Sequence, residues 1–253
     1  MTRLKKAVAA TVAVGVLFIP GIAAANDKRP TGGDDQRKIS TQAATTFDEV
    51  KARCTKAIVD RQANLDRISA KIGQSFDPHD AALNTIITTA KSGLIAVRAA
   101  IDSNTGDLAA LKADCQRIVT DLRIYALRLP QINLVMSIDK FDAAMAKLAS
   151  LHDQLAAAIA SANTAGDPDA AEATELLNTL EATVASATTK IDSIDVDVLL
   201  AITPSSYNAD KKVLSPYVQS VRSARSDIKK ASPLARHIAK LLEPGDDTEQ
   251  HEG

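Results

Sequence analysis

Cys54 and Cys115 are the only cysteines in a chain of 253 residues. Two thiols can close a disulfide, share a metal ion or stay free. In an exported protein an even count reads as a bridge. The other groups able to do chemistry are less specific. His79, His152, His237 and His251 lack the i+3 or i+4 His, Cys or carboxylate partners of a zinc site, so they are expected to be solvated. Asp192, Asp195 and Asp197 cluster, but on a heptad pattern and not on the Gly-containing turn that a calcium loop needs. They are expected to form a charged outer face. There is no G-x-S-x-G, G-x-G-x-x-G, H-E-x-x-H or phosphate-binding Walker pattern. No catalytic, cofactor-binding or metal-ligating residue is therefore assigned, no cofactor is expected, and the chain reads as a non-enzyme.

The elements that must position the two cysteines are helices. Hydrophobic residues make up 45% of the chain and aromatics only 3%, with no Trp; much of the apolar share is Ala, the best helix former. Phe47, Val50, Cys54, Ile58, Leu65, Ile68 and Ile72 recur at spacings of three and four, which predicts a first helix from Thr41 to Gly73. Asp77-Pro78 predicts the start of a second, carrying Leu83, Ile86, Ala90, Leu94, Val97 and Ile101 up to Asn104-Thr105-Gly106. A third starts after Asp107 and runs to Ala165-Gly166, with a kink at Pro130, where a hydrogen bond is lost and the ring meets the Ala126 carbonyl. Asp167-Pro168 opens a fourth, on Leu177, Leu180, Val184, Ala187, Ile191, Ile194 and Val198, ending at Thr203-Pro204. A fifth spans Asn208 to Leu242. Within the third, Ile124, Leu127, Leu129, Ile132, Leu134, Val135, Met136 and Ile138 point in nearly every direction. A helix apolar all round is buried all round.

Lengths suggest the topology. The second helix descends roughly 40 Å, and the third regains that height near residue 135 and continues roughly 45 Å. The expected fold class is all-α: an elongated antiparallel bundle of two three-helix sets, 41–129 and 130–242, sharing one long helix. The alternative is a single compact five-helix bundle. By the same count Cys54 lies ~28 Å and Cys115 ~30 Å below the first turn. Their heights agree and both sit on apolar stripes, so a Cys54–Cys115 disulfide is expected. Arg61 stands where the first stripe calls for an apolar residue. Asp121, at a similar height on the third helix, is the expected partner of a buried ion pair with Arg61; the alternative has Arg61 snorkelling to water.

The ends carry different signals. Arg3, Lys5 and Lys6, the apolar run 7–19, the Pro20-Gly21 break and Ala23-Ala24-Ala25 have the form of a secretory signal peptide over 1–25. Residues 26–40 read as a polar linker and 243–253 as an acidic tail. The 30 Lys and Arg are balanced by 31 Asp and Glu, and loss of 1–25 would remove three basic residues and no acid. Mild acidity argues against a nucleic-acid partner. The apolar stretch 124–138 is too short to span a bilayer, so no transmembrane span is expected after signal removal.

The segments C-T-K-A-I-V-D-R-Q-A-N-L at 54–65, K-S-G-L-I-A-V-R-A-A-I-D at 91–102, L-K-A-D-C-Q-R-I-V-T-D-L-R-I-Y-A-L-R-L-P at 111–130 and L-V-M-S-I-D at 134–139 resemble a group of secreted, Ala-rich helical proteins of actinobacteria. The resemblance covers residues 47–142. It implies an exported helical fold and transfers no functional residue. The expected role is that of a secreted or envelope-associated spacer or interaction module with an unknown protein or envelope partner. The alternative is a membrane-active protein that exposes the stretch 124–138.

Overall fold

The computed structural model describes residues 46–72 and 77–243. The expected signal peptide at 1–25, linker at 26–40, helix onset at Thr41, stop at Gly73 and the tail from 244 onward lie outside the described residues. Every regular element among the described residues is helical: α1 Phe47–Ile72, α2 Asp80–Ser103, α3 Leu108–Thr120, a π-helical turn Ile124–Arg128, α4 Leu129–Ala165, α5 Ala170–Asp192, α6 Val196–Ala201, α7 Pro204–Ala209 and α8 Ser215–Leu241.

The chain divides into two compact units. Among the described residues, one comprises the chain up to Lys140 together with Ile194–Val221, and the other Phe141–Ser193 together with the chain from Arg222. The division falls inside α4, eleven residues beyond the expected boundary at 129/130, and a segment from the middle of the second half joins the first unit.

In the first unit α1, α2 and α3 all touch one another. Val50, Cys54, Ile58, Leu65, Ile68 and Ile72 of α1 are buried, as are Leu83, Ala90, Leu94, Val97 and Ile101 of α2, as their spacing requires. Ile87 is buried in α2 where Ile86 was expected. Gly93, in mid α2, has a packing reason. A Cβ there would come within 2.5 Å of the Leu122 side chain.

The helix starts depart from expectation in one consistent way. At both Asp-Pro corners the helix begins three residues after the Asp, two later than expected. The Asp80 N–H donates to the Asp77 carbonyl, and that of Ala170 to the Asp167 carbonyl. Each Asp-Pro thus opens a turn with Pro at its second position, where the fixed φ of proline is favoured, and is not the helix cap. Asp107 does cap α3, accepting from the Ala109 and Ala110 N–H groups. α4 ends as expected at Ala165: Gly166, with φ of +72°, lets the Asp167 N–H reach the Ala162 carbonyl.

The kink expected at Pro130 is displaced. The chain breaks at residues 121–123, where Arg123 has φ of +45°, and the π-helical turn follows. The Leu129 N–H reaches back to the Ile124 carbonyl in that wider turn. Pro130 is then the second residue of α4, directly after the π-helical turn, a local widening of the kind that marks helix kinks. The expected fourth helix is also broken. Asp195, read as part of a charged face, caps α6 by accepting from the Val198 N–H. Thr203 caps α7, with Pro204 at its first position. The cap signal at Asp195 was present, but the heptad rhythm ran through it; Thr203-Pro204, expected as a stop, also starts a helix. The last long helix accordingly begins at Ser215 and not at Asn208.

Candidate functional site

The cysteines behave as their heights predict. Cys54 of α1 and Cys115 of α3 form a disulfide with a Cα–Cα distance of 5.6 Å. Both are buried, so the bridge lies within the first unit's core.

Arg61 and Asp121 do not form the expected pair. Arg61 is 7% exposed, so it does not snorkel either. Its Nη1 donates to the Ala57 carbonyl at 3.0 Å, and its guanidinium stacks 4.7 Å from the centre of the Tyr125 ring. Burial lowers its pKa, partly offset by Tyr125 and Asp60. Asn64 completes the cluster by donating to the Tyr125 hydroxyl at 2.9 Å. Asp121 instead ends α3, where Arg117 and Thr120 bind its carboxylate at 3.4 and 2.7 Å. The cause is the break: it halts α3 at Thr120, and the π-helical turn carries Tyr125 to Arg61.

The buried stretch 124–138 is apolar as expected, with Ile124, Leu127, Ile132, Val135 and Ile138 inside, but it holds one polar residue that sequence reasoning missed. Gln131 is fully buried, and its amide donates to the carbonyls of Leu199 and Leu200 at 2.6 and 3.1 Å. Arg128 donates to the Gln131 side-chain oxygen and to the Ile202 carbonyl, both at 2.9 Å. Together they cap the end of α6, whose last carbonyls would otherwise be orphaned. Burial lowers the pKa of Arg128. Arg123 extends the contact by donating to Asn208 of α7 at 2.6 Å, while the Asn208 amide returns a bond to the Thr120 carbonyl.

His79 is not the solvated histidine expected. Its Nδ1 lies 2.6 Å from Oδ1 of Asp139, a carboxylate buried on α4. Such a couple can hold or pass a proton, yet it needs a third reacting group to make a catalytic set. His152 and His237 are partly exposed beside Asp153 and Glu172, and His251 is outside the described residues. In the second unit Asp227 is buried and accepts from Lys190 and from Ser186 of α5, and from Lys230 one turn away. Lys190 above all, then Lys230 and Ser186, hold its carboxyl below the usual range against the opposing effect of burial.

Among the described residues no three His, Cys, Asp or Glu side chains are placed to hold a metal ion, and no helix is long and apolar enough to cross a membrane. No protein-family model, no curated protein and no solved structure matches the chain.

Proposed function

We propose that the chain is an exported, non-enzymatic helical protein that serves as a spacer or interaction module at the cell envelope. The observation that carries this is the Cys54–Cys115 bridge between two helices of one unit. A buried disulfide of this kind belongs to an oxidising compartment. Support also comes from how the buried polar side chains are used. Arg61 through Tyr125, Gln131 through the α6 carbonyls and Asp227 through Lys190 each join one element to another. The finer architecture, two three-helix sets sharing the helical run through Pro130, belongs to the same proposal. It is supported by the division of the chain within α4.

The test is fractionation of the native host with intact-mass analysis and pull-down. The expected form is recovered outside the cytoplasm, begins near Asn26, has no titratable thiol and brings a binding partner. A cytoplasmic chain beginning at Met1 with two free thiols would overturn the proposal.

Membrane activity through exposure of 124–138 is a second reading. The break at 121–123, directly before that stretch, is its motivation, because the helical hydrogen-bond ladder is already interrupted there. Leakage from dye-loaded liposomes tests it, and intact vesicles at every pH and lipid composition would remove it.

A further inference from the structure

Helix α8 separates its charge as clearly as its polarity. Between Arg222 and Lys240 its bases are Arg222, Arg225, Lys229, Lys230, Arg236 and Lys240, and its one acid is Asp227. That acid is buried and neutralised by Lys190 and Lys230, so it does not interrupt the outer face. Arg222, Ser226, Lys229, Pro233, Arg236 and Lys240 recur at alternating spacings of four and three, and all are exposed. They form one line opposite the buried Ala224, Ile228, Ala231, Ala235 and Ile238. The four charges on that line fall ~10, ~10 and ~6 Å apart, along a row ~27 Å long. No carboxylate among the described residues pairs with any of the four.

A solvated face explains this row incompletely. Lys240 in the last turn suits the helix dipole. Arg222 and Lys229 gain nothing from it, and Arg236 and Lys240 repel each other at i, i+4. An anion along the row would relieve that repulsion.

The row also selects the shape of the anion. It is one side chain wide, and beside it His237 lies 4.0 Å from Glu172 of α5. α5 carries Glu172, Glu175, Glu181 and Asp192 against Lys190 alone. A planar anionic surface laid over the row would press on Glu172, whereas a linear polymer can follow the row and leave that carboxylate in water. The large exposed hydrophobic residues among the described residues are Val59, Ile95 and Val198, none of them on α8, so the helix presents nothing to insert into a bilayer. The row contains no aromatic ring on which a nucleic-acid base could stack. The guanidinium fork of Arg222 matches phosphate oxygens, and Arg236, whose Nε and Nη2 donate to the Ser232 carbonyl and hydroxyl at 3.5 and 3.2 Å, keeps its Nη1 donors for the same purpose.

We infer that the exposed face of α8 binds a linear polyphosphate-type chain, held by Arg222, Lys229, Arg236 and Lys240. This rests on the interaction-module reading and gives its partner a chemistry. The experiment follows the anisotropy of labelled inorganic polyphosphate with the oxidised full chain. Affinity is expected to fall about fifty-fold between about 50 and about 200 mM NaCl, as four phosphate contacts require. The quadruple variant R222E/K229E/R236E/K240E should lose binding at least a hundredfold with its helical circular dichroism unchanged. Lys56→Glu, on the exposed face of α1, should bind as the parent does. Should the quadruple variant fail to fold, R222Q/R236Q reports instead, by reducing the salt slope by about two. Absence of binding at low salt, or binding that survives these variants, overturns the inference. So does tighter binding to anionic phospholipid vesicles or to single-stranded DNA. A host partner recovered by pull-down despite any of these results would leave the interaction-module reading standing alone.

Discussion

Arg61 interrupts the apolar stripe, which left two readings open, a buried pair with Asp121 and a side chain snorkelling to water. It is buried, and paired with neither Asp121 nor water but with Tyr125 and the Ala57 carbonyl. Its partner depends on where α3 stops, which no stripe encodes. The structure predicts that Arg61→Met and Asp121→Leu act additively in a double-mutant cycle, whereas Arg61→Met and Tyr125→Leu couple by ~1 kcal/mol, the strength of a partly desolvated cation–π contact. Coupling to Asp121 above error, or none to Tyr125, would contradict the geometry. Asp227 gives a pH-dependent case. Its folded pKa is lowered, so its contribution is fully present above the unfolded value of ~3.9 and is lost as pH falls through the folded one. Asp227→Asn should therefore cost ~1.5 kcal/mol at pH 7, the range of a charge-assisted hydrogen bond. The difference from the parent should shrink below about pH 4 in urea titrations. A cost that is the same at pH 7 and pH 2.5 would show that the carboxylate's charge plays no part.

At the scale of elements, the helices most legible in the sequence are those whose stripes run without competition. α1 and α2 bury their stripes as expected, except that Phe47 is half-buried and Ile87 takes the place of Ile86. Legibility fails where two local signals compete. Ile194 and Val198 extend the heptads of α5, and they concealed the cap Asp195, which divides the expected fourth helix into α5 and α6. Val198 is 52% exposed and Leu199 is buried instead, so the phase changes at the cap. Gln131 was hidden differently: a polar residue in an apolar run looks like a surface position until the carbonyls it caps are known. Gln131→Leu should cost ~1–3 kcal/mol, because it leaves buried carbonyls of α6 unsatisfied. Hydrogen exchange should quicken in α6 and α7 and remain slow in α1. Uniform acceleration would mean that Gln131 does not act locally. Arg123 makes a second test. In its left-handed conformation glycine carries no Cβ penalty, so Arg123→Gly should be more stable than Arg123→Ala by ~1 kcal/mol. Equal stabilities would mean that the break relaxes when the Arg123 side chain is removed.

For the whole molecule, the disulfide is the constraint that sequence arithmetic and structure share. It was legible because helix rise is constant and the extents of α1, α2 and α3 were read closely enough to compare heights. Cys54 and Cys115 are 61 residues apart in the chain. Closing a loop of that size stabilises by ~4 kcal/mol in the chain-entropy model. The bridge lies wholly within the unit built on α1, α2 and α3, and the unit containing α5 and the α8 residues from Arg222 has no cysteine among its described residues. Reduction should therefore act unevenly. Hydrogen exchange with and without reductant is expected to show faster exchange across α1 and α3, while α5 and the later turns of α8 keep their protection. In calorimetry the transition of the bridged unit should move to lower temperature by more than that of the other. Replacing both cysteines with Ala should reproduce the effect of reduction, which separates loss of the bond from any action of the reductant. If the cysteine-free protein keeps the parent's exchange pattern and melting temperature, the bridge constrains nothing that the helices do not already hold. The stability of this unit would then rest on the packing around Ile58, Leu94 and Ile118 alone.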